Sequence, residues 1–262
     1  MFSEVFSASR KPCKYRYNLI RWTYHTFTIH NPWEANMREF QEAQRLADLY
    51  SQDLLDAYNE LDHLKRKRLD QIIYFLRNKK DATFLSIGCG PAIIELEIAK
   101  RLDKNVVGFD CSPIAIALAK KKIEKAVVNG VIREKQLEVF EANLMALPSD
   151  LAAILPLPAV ICFDVIGAFT LKSKKFFLQE LWSQCVAPKG TLTLTALSCS
   201  DTSRAEKYAR GLIIKGKNYR VRLYSEGVKT YMGLLNTLIP QPTWFYITRL
   251  DEESLLIDIK RS

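Results

Sequence analysis

Between Phe84 and Asp110 the sequence reads FLSIGCGPAIIELEIAKRLDKNVVGFD. An apolar run enters a glycine turn, passes through a helical pattern and reaches a second apolar run closed by a carboxylate. Parallel strands need a crossover between them, and a helix of this length supplies one. The rhythm then repeats. Residues 84–87 read as a strand, 92–102 as a helix and 105–109 as a second strand. CSPIAIALAKKKIEKAVVNG follows as a helix, with Ser112 as N-cap, Pro113 in its first turn and Gly130 at its stop. Residues 137–141 and 159–163 give a third and a fourth strand, the fourth almost wholly apolar and expected at the centre. A helix over 174–186, a turn at APKG and a strand over 191–197 complete the series.

The remainder is less regular. VRLYSEGVKTYMGLLNTL suggests a strand, a turn and a helix, and PTWFYITRL and SLLIDIKRS read as two strands joined at Asp251 to Glu253. The expected fold is therefore α/β: a doubly wound, mostly parallel seven-stranded sheet with an antiparallel C-terminal hairpin. Residues 1–80 lack this alternation and are expected to form a helical N-terminal cap, with 81–262 as the main domain. Over residues 32–76, Leu46, Leu49, Leu54, Leu55, Tyr58, Leu61 and Leu64 recur at helical spacing.

Composition narrows the class. With 262 residues, the chain can hold one substantial core and an appendage. No apolar run approaches the roughly 20 residues of a membrane span, and the amino terminus lacks a signal-type apolar core. A cytoplasmic protein without a membrane partner is expected. The six cysteines form no CxxC pair and the three histidines are not grouped with them, so no metal site is expected. A net charge of +9 favours anionic partners without identifying one.

In a doubly wound sheet, ligands gather beyond the carboxyl ends of the strands. Gly88, Cys89 and Gly90 follow the first strand, and Asp110, twenty residues past Gly90, ends the second. Glycine permits a tight turn and close backbone approach. A carboxylate at the second position can accept both hydrogen bonds of a ribose diol. A dinucleotide fingerprint requires a third glycine where this chain has Ile93, and Pro91 removes an N–H from the helix start. A Walker loop lacks its GKS or GKT. The spacing suits an adenosine ligand without a pyrophosphate.

LSIGCGPA, VVGFDCSP and APKGTLTLTAL together resemble the motifs of class I (Rossmann-like) S-adenosylmethionine-dependent methyltransferases. The resemblance covers roughly residues 80–200. It implies a methyltransferase using S-adenosyl-L-methionine and releasing S-adenosyl-L-homocysteine. By that resemblance Gly88 and Gly90, with Ser86 and Cys89, approach the methionyl part. Asp110 binds the ribose, Cys111 and Ser112 lie beside the adenine, and Asn143 and Leu144 lie at its edge. Asp164, ending the fourth strand, faces the methionyl moiety and the substrate, and is the candidate catalytic carboxylate. Three positions depart from the pattern: Ser86 for the usual first-strand acid, Ala92 for a glycine, and Asn143 for an aspartate.

Methyl transfer is a displacement from a sulfonium, so the protein chiefly aligns the acceptor and excludes water. A small-molecule acceptor, methylated on O or N, is the principal expectation. Tyr24, His25, His30 and Trp33 in the aromatic amino-terminal region are candidate substrate contacts, as are Arg204 and Tyr208 after the fifth strand. RNA is a second possible acceptor, favoured by the basic charge and by aromatics able to stack a base. A catalytically silent cofactor-binding partner is a third reading, prompted by Ser86 and Asn143. The oligomeric state is open.

Overall fold

The computed structural model describes residues 63–198, 212–215, 220–223, 226–251 and 254–262. Nine strands lie among them: β1 (Thr83–Ile87), β2 (Asn105–Asp110), β3 (Leu137–Glu141), β4 (Leu157–Cys162), β5 (Val186–Leu197), β6 (Leu212–Lys215), β7 (Arg220–Leu223), β8 (Pro242–Arg249) and β9 (Ser254–Arg261). The helices are α1 (His63–Leu76), α2 (Ile93–Leu102), α3 (Pro113–Val128), the single turn α4 (Ser149–Ala152), α5 (Leu171–Cys185) and α6 (Val228–Leu235).

Seven strands form one sheet in the order β3-β2-β1-β4-β5-β9-β8, while β6 and β7 pair separately. From β3 to β5 all neighbours are parallel. The β8–β9 hairpin adds antiparallel to β5. This is the architecture expected from the sequence. The chain winds outward from β1 through β2 to β3, then crosses back to β4. The order therefore reverses between β1 and β4, where such sheets open a crevice at their carboxyl ends.

Strand alternation divides the core between the two faces of the sheet. Leu85 and Ile87 of β1 join Val160 and Cys162 of β4 against Phe177, Leu181 and Trp182 of α5 and Tyr231 and Leu235 of α6. Phe84 and Ile161 face the other way, onto Ile98 and Ala99 of α2, Ile116 and Ala119 of α3, and Leu69, Ile72, Ile73 and Leu76 of α1. The described part of the amino-terminal region thus packs into the same core as the sheet. Truncating a fully buried side chain such as Trp182 in a core of this kind costs about 3–5 kcal/mol.

Local chemistry explains the helix starts. Ser112 caps α3 by accepting the Ala115 N–H at 3.2 Å, with Pro113 following it. Thr170 caps α5 by accepting the Ser173 N–H. APKG, expected as a turn before the fifth strand, lies inside β5. There the β4 register jumps from Leu157 opposite Val186 to Ala159 opposite Thr191, and Lys189 takes a φ of 60°. The turn chemistry was legible, but the extra residues are absorbed as a bulge because the strand resumes pairing on both sides. Helix α2 begins at Ile93 rather than Ala92, which sits outside it in the left-handed region. Strand β6 had no counterpart in the sequence reading.

Candidate functional site

The crevice floor is the turn from β1 into α2. The N–H groups of Gly88 and Cys89 both donate to the Phe109 carbonyl, at 2.8 and 3.1 Å, tying the turn to the end of β2. Gly88 has a φ of 68°, and a Cβ built there would lie 2.3 Å from Val165 Cγ2. Gly90 has a φ of 51°, yet no atom lies within 4 Å of where its Cβ would stand. The first glycine is required by the protein's own packing. The second borders open space, as a loop that receives a ligand does.

Asp110 locks this turn. Its Oδ2 accepts the Gly90 N–H at 2.9 Å and its Oδ1 accepts the Ser112 N–H at 2.8 Å. Burial pushes its carboxyl above the usual range, while the N–H groups of Ser112, Gly90 and Cys111 pull it down. A carboxylate has about four acceptor positions. These three N–H groups take up three of them, so one remains for a ligand hydroxyl.

Beneath the turn lies a contact that the sequence reading did not anticipate. Ser86, buried in β1, donates to Oε1 of Glu95 at 2.6 Å. Glu95 belongs to the first turn of α2 and is itself buried. Burial, with a smaller push from the Asp110 charge, raises its carboxyl to about 7 against the opposing hydrogen bonds from Ser86 and from its own backbone N–H. The signal was available: Glu95, Ile98 and Ala99 form the buried stripe of α2, so an acid occupies an apolar position.

The opposite wall is the end of β4. Asp164 is held at a φ of 59°, in the left-handed region that L residues occupy at a cost of about 1–2 kcal/mol. Its N–H donates to Thr195 Oγ1 at 2.8 Å, and that hydroxyl donates back to Asp164 Oδ1 at 3.0 Å. The same oxygen accepts Arg68 Nη2 at 3.1 Å. Arg68 Nε also approaches Asp251 Oδ2, in the β8–β9 turn, at 4.0 Å. Thus α1 reaches the crevice mouth and neutralises the fourth-strand carboxylate. Arg68 was not among the candidates, because nothing local in α1 marks a partner 96 residues away.

The remaining cofactor candidates line the same edge. Cys89 is buried and its thiol is pushed well up by that burial, with Glu95 and Asp110 adding to the effect. Cys111 is partly exposed, whereas the Ser112 side chain is buried and committed to its cap. Beyond β3, Ala142 N–H donates to the Asp110 carbonyl at 2.9 Å, which draws Asn143 and Leu144 toward the crevice. Asn143 Oδ1 accepts the Met145 N–H at 2.9 Å, and Leu144 is buried. Tyr24, His25, His30, Trp33, Arg204 and Tyr208 lie outside the described residues. Among the described residues no group of histidine, cysteine, aspartate or glutamate is arranged to hold a metal ion.

Asp110 and Asp164 give the crevice two carboxyl groups, and a third, Glu95, lies buried beneath its floor. An anionic pyrophosphate would face them unfavourably. A ligand with hydroxyls on one side and positive charge on the other fits both the donor set and the open face at Gly90.

A family model described as a methyltransferase domain matches residues 84–190. The ribosomal protein L11 methyltransferase of Pasteurella multocida is 28% identical over 137 residues, 52% of this chain and 41% of that protein. The chain spans less than half the length of the curated relatives it matches. Among solved structures, the magnesium protoporphyrin IX methyltransferase of Synechocystis PCC 6803, with bound SAH, superposes with a TM-score of 0.60. It is 16% identical and covers 84% of this chain and 100% of its own. The N-methyltransferase NodS of Bradyrhizobium japonicum WM9, in complex with S-adenosyl-L-homocysteine, gives a TM-score of 0.54 at 15% identity. It covers 85% of this chain and 98% of its own. At these identities the structural likeness speaks for the fold.

Proposed function

We propose that this chain, which has the class I S-adenosylmethionine-dependent methyltransferase fold, methylates an oxygen or nitrogen atom of a small molecule. The observation that carries the reading is the Asp110 clamp on Gly90 and Ser112 at the point where the sheet order reverses. The clamp presents a spare acceptor position beside a glycine turn with an open face. S-adenosyl-L-methionine, when bound, supplies the activated methyl group, and S-adenosyl-L-homocysteine leaves as product.

In this reading Asp110 binds the ribose. Gly88 and Gly90 let the backbone approach the methionyl chain, with Cys89 behind them. Ser86 acts from below the turn. Cys111, Ser112, Asn143 and Leu144 border the adenine. Asp164 attracts the ammonium end or a substrate amine, with its charge moderated by Arg68. The protein holds the acceptor in line and excludes water. A proton acceptor matters only where the acceptor atom must lose a proton.

Residues 1–80 are assigned to an amino-terminal cap and residues 81–262 to the cofactor-binding domain, with Tyr24, His25, His30, Trp33, Arg204 and Tyr208 as the substrate contacts of this reading. A small-molecule acceptor is supported by structural relatives named for magnesium protoporphyrin IX and for N-methyl transfer. The relatives named for ribosomal protein L11 align over about half of the chain. No described helix is long and apolar enough to cross a membrane. Cytoplasmic residence is part of the proposal, supported by the buried free thiols of Cys89, Cys162 and Cys185.

The test is transfer from methyl-labelled S-adenosylmethionine into separated small-molecule, RNA and protein fractions. Label in the small-molecule fraction is expected. Label confined to RNA or protein overturns the acceptor class, and cofactor binding without transfer to any fraction overturns the enzyme reading.

A further inference from the structure

The usual first-strand acid is absent at Ser86, but a carboxyl group stands 2.6 Å from its hydroxyl, delivered by α2 instead. Glu95 is fully enclosed under the glycine turn. The titratable groups acting on it are Asp110 from β2 and Cys89 from the turn, and both oppose its ionisation when charged. The cations nearest along α2 are committed elsewhere: Lys100 to Glu97, and Arg101 to Glu97 and to Asp70 of α1. Arg68, also from α1, pairs with Asp164 and Asp251. Among the described residues no lysine or arginine pairs with Glu95. A buried acid with a hydroxyl donor and no counter-charge is an incomplete ion pair.

We propose that Glu95 is a positioning residue for the cationic end of S-adenosylmethionine: the bound cofactor supplies the missing positive charge, and Glu95 gives up a proton as it binds. The proposal rests on the cofactor reading above. It makes Glu95 and Ser86 jointly responsible for the orientation of the glycine turn toward a positively charged ligand. Only the protonation state of one carboxyl changes. In the empty protein at pH 7 about half of the molecules carry the proton on Glu95, which keeps its contact with Ser86. In the loaded protein that proton is in solution and the carboxylate is balanced by the ligand.

The experiment is calorimetric titration of the full chain with S-adenosylmethionine at pH 7, in phosphate and in Tris. The difference in apparent enthalpy counts the protons exchanged. With its carboxyl pushed up to about 7, Glu95 is about half protonated at pH 7, so the wild type is expected to release roughly half a proton through it. Glu95→Gln should lose that release and bind about tenfold more weakly at pH 8, with a smaller loss at pH 6. Ser86→Ala removes a donor that favours the charged form, so its release should rise above the wild-type value. Equal proton release in wild type and Glu95→Gln overturns the proposal. Should Glu95→Gln fail to fold, an absent wild-type release, or a release unchanged in Ser86→Ala, overturns it equally. If the wild type binds neither S-adenosylmethionine nor S-adenosylhomocysteine, the cofactor reading itself falls. Binding without a Glu95-linked proton removes only this inference.

Discussion

Arg68 and Asp164 meet at 3.1 Å across the crevice mouth, joining the helix before the first strand to the end of the fourth. The pair is partly solvated, with side-chain exposures of 21% and 41%, so its contribution to stability is small, about 0–1 kcal/mol. Its effect is on charge. Arg68→Ala is expected to leave the melting temperature within a few degrees. It should tighten binding of cationic S-adenosylmethionine a fewfold at low salt, with the gain fading as salt rises. Asp164→Asn should weaken binding. Titrations at two ionic strengths check both directions.

The three left-handed positions of the glycine turn predict different outcomes for one added or removed methyl group. Gly88→Ala drives a Cβ into Val165 and forces a strained φ, so it should cost about 2–4 kcal/mol and cofactor binding together. Gly90→Ala meets nothing and should cost only about 1–2 kcal/mol, yet still impair binding because the methyl enters the open face. Ala92→Gly, at a φ of 55°, should be neutral or stabilising by up to about 1 kcal/mol. Thermal melts paired with cofactor titrations separate the three.

The Glu95 carboxyl also predicts a pH dependence of stability in the empty protein. Its folded value of about 7 lies above the ordinary 4.5, so between those limits the folded state holds more protons than the unfolded one. The sign is therefore negative: stability is highest near pH 4.5 as far as Glu95 is concerned, and falls as pH rises toward 7. The span corresponds to about 3 kcal/mol. Urea titrations of the wild type and Glu95→Gln should diverge across this window. Parallel curves would contradict the buried-acid account.

A second buried network holds the hairpin to the sheet. Asp258 of β9 accepts Lys79 Nζ and Thr193 Oγ1, both at 2.6 Å. Lys79 lies between α1 and β1, so one carboxylate ties three parts of the chain together. Asp258→Ala or Lys79→Met alone should cost about 3–5 kcal/mol, since each strands a buried charge. The double variant should cost much less than the sum. A double-mutant cycle in urea measures the difference.

The fold was legible because most strands of the main sheet are short runs, apolar or alternating, bounded by turn residues. The outcome at β3 shows this most simply, since LEVFE lies between clear polar boundaries. The position of Asp110 was legible through its spacing from Gly90, but not its hold on the Gly90 N–H, which depends on the twist of the turn. Glu95 was readable as a charge on a buried helical stripe and was passed over because its partner Ser86 looked like a missing acid rather than half of a pair. Arg68 carried no local signal at all, because its role arises only when α1 and β4 are packed together.

Calorimetric titration with S-adenosylmethionine, S-adenosylhomocysteine and NAD, on the wild type and on Asp110→Ala, decides which nucleotide the crevice holds. Both sulfur compounds should bind and NAD should not. Removing the Asp110 carboxylate should cost about 2–3 kcal/mol, roughly a hundredfold in affinity. A wild-type protein that binds neither sulfur compound, or that prefers NAD, would contradict the cofactor reading.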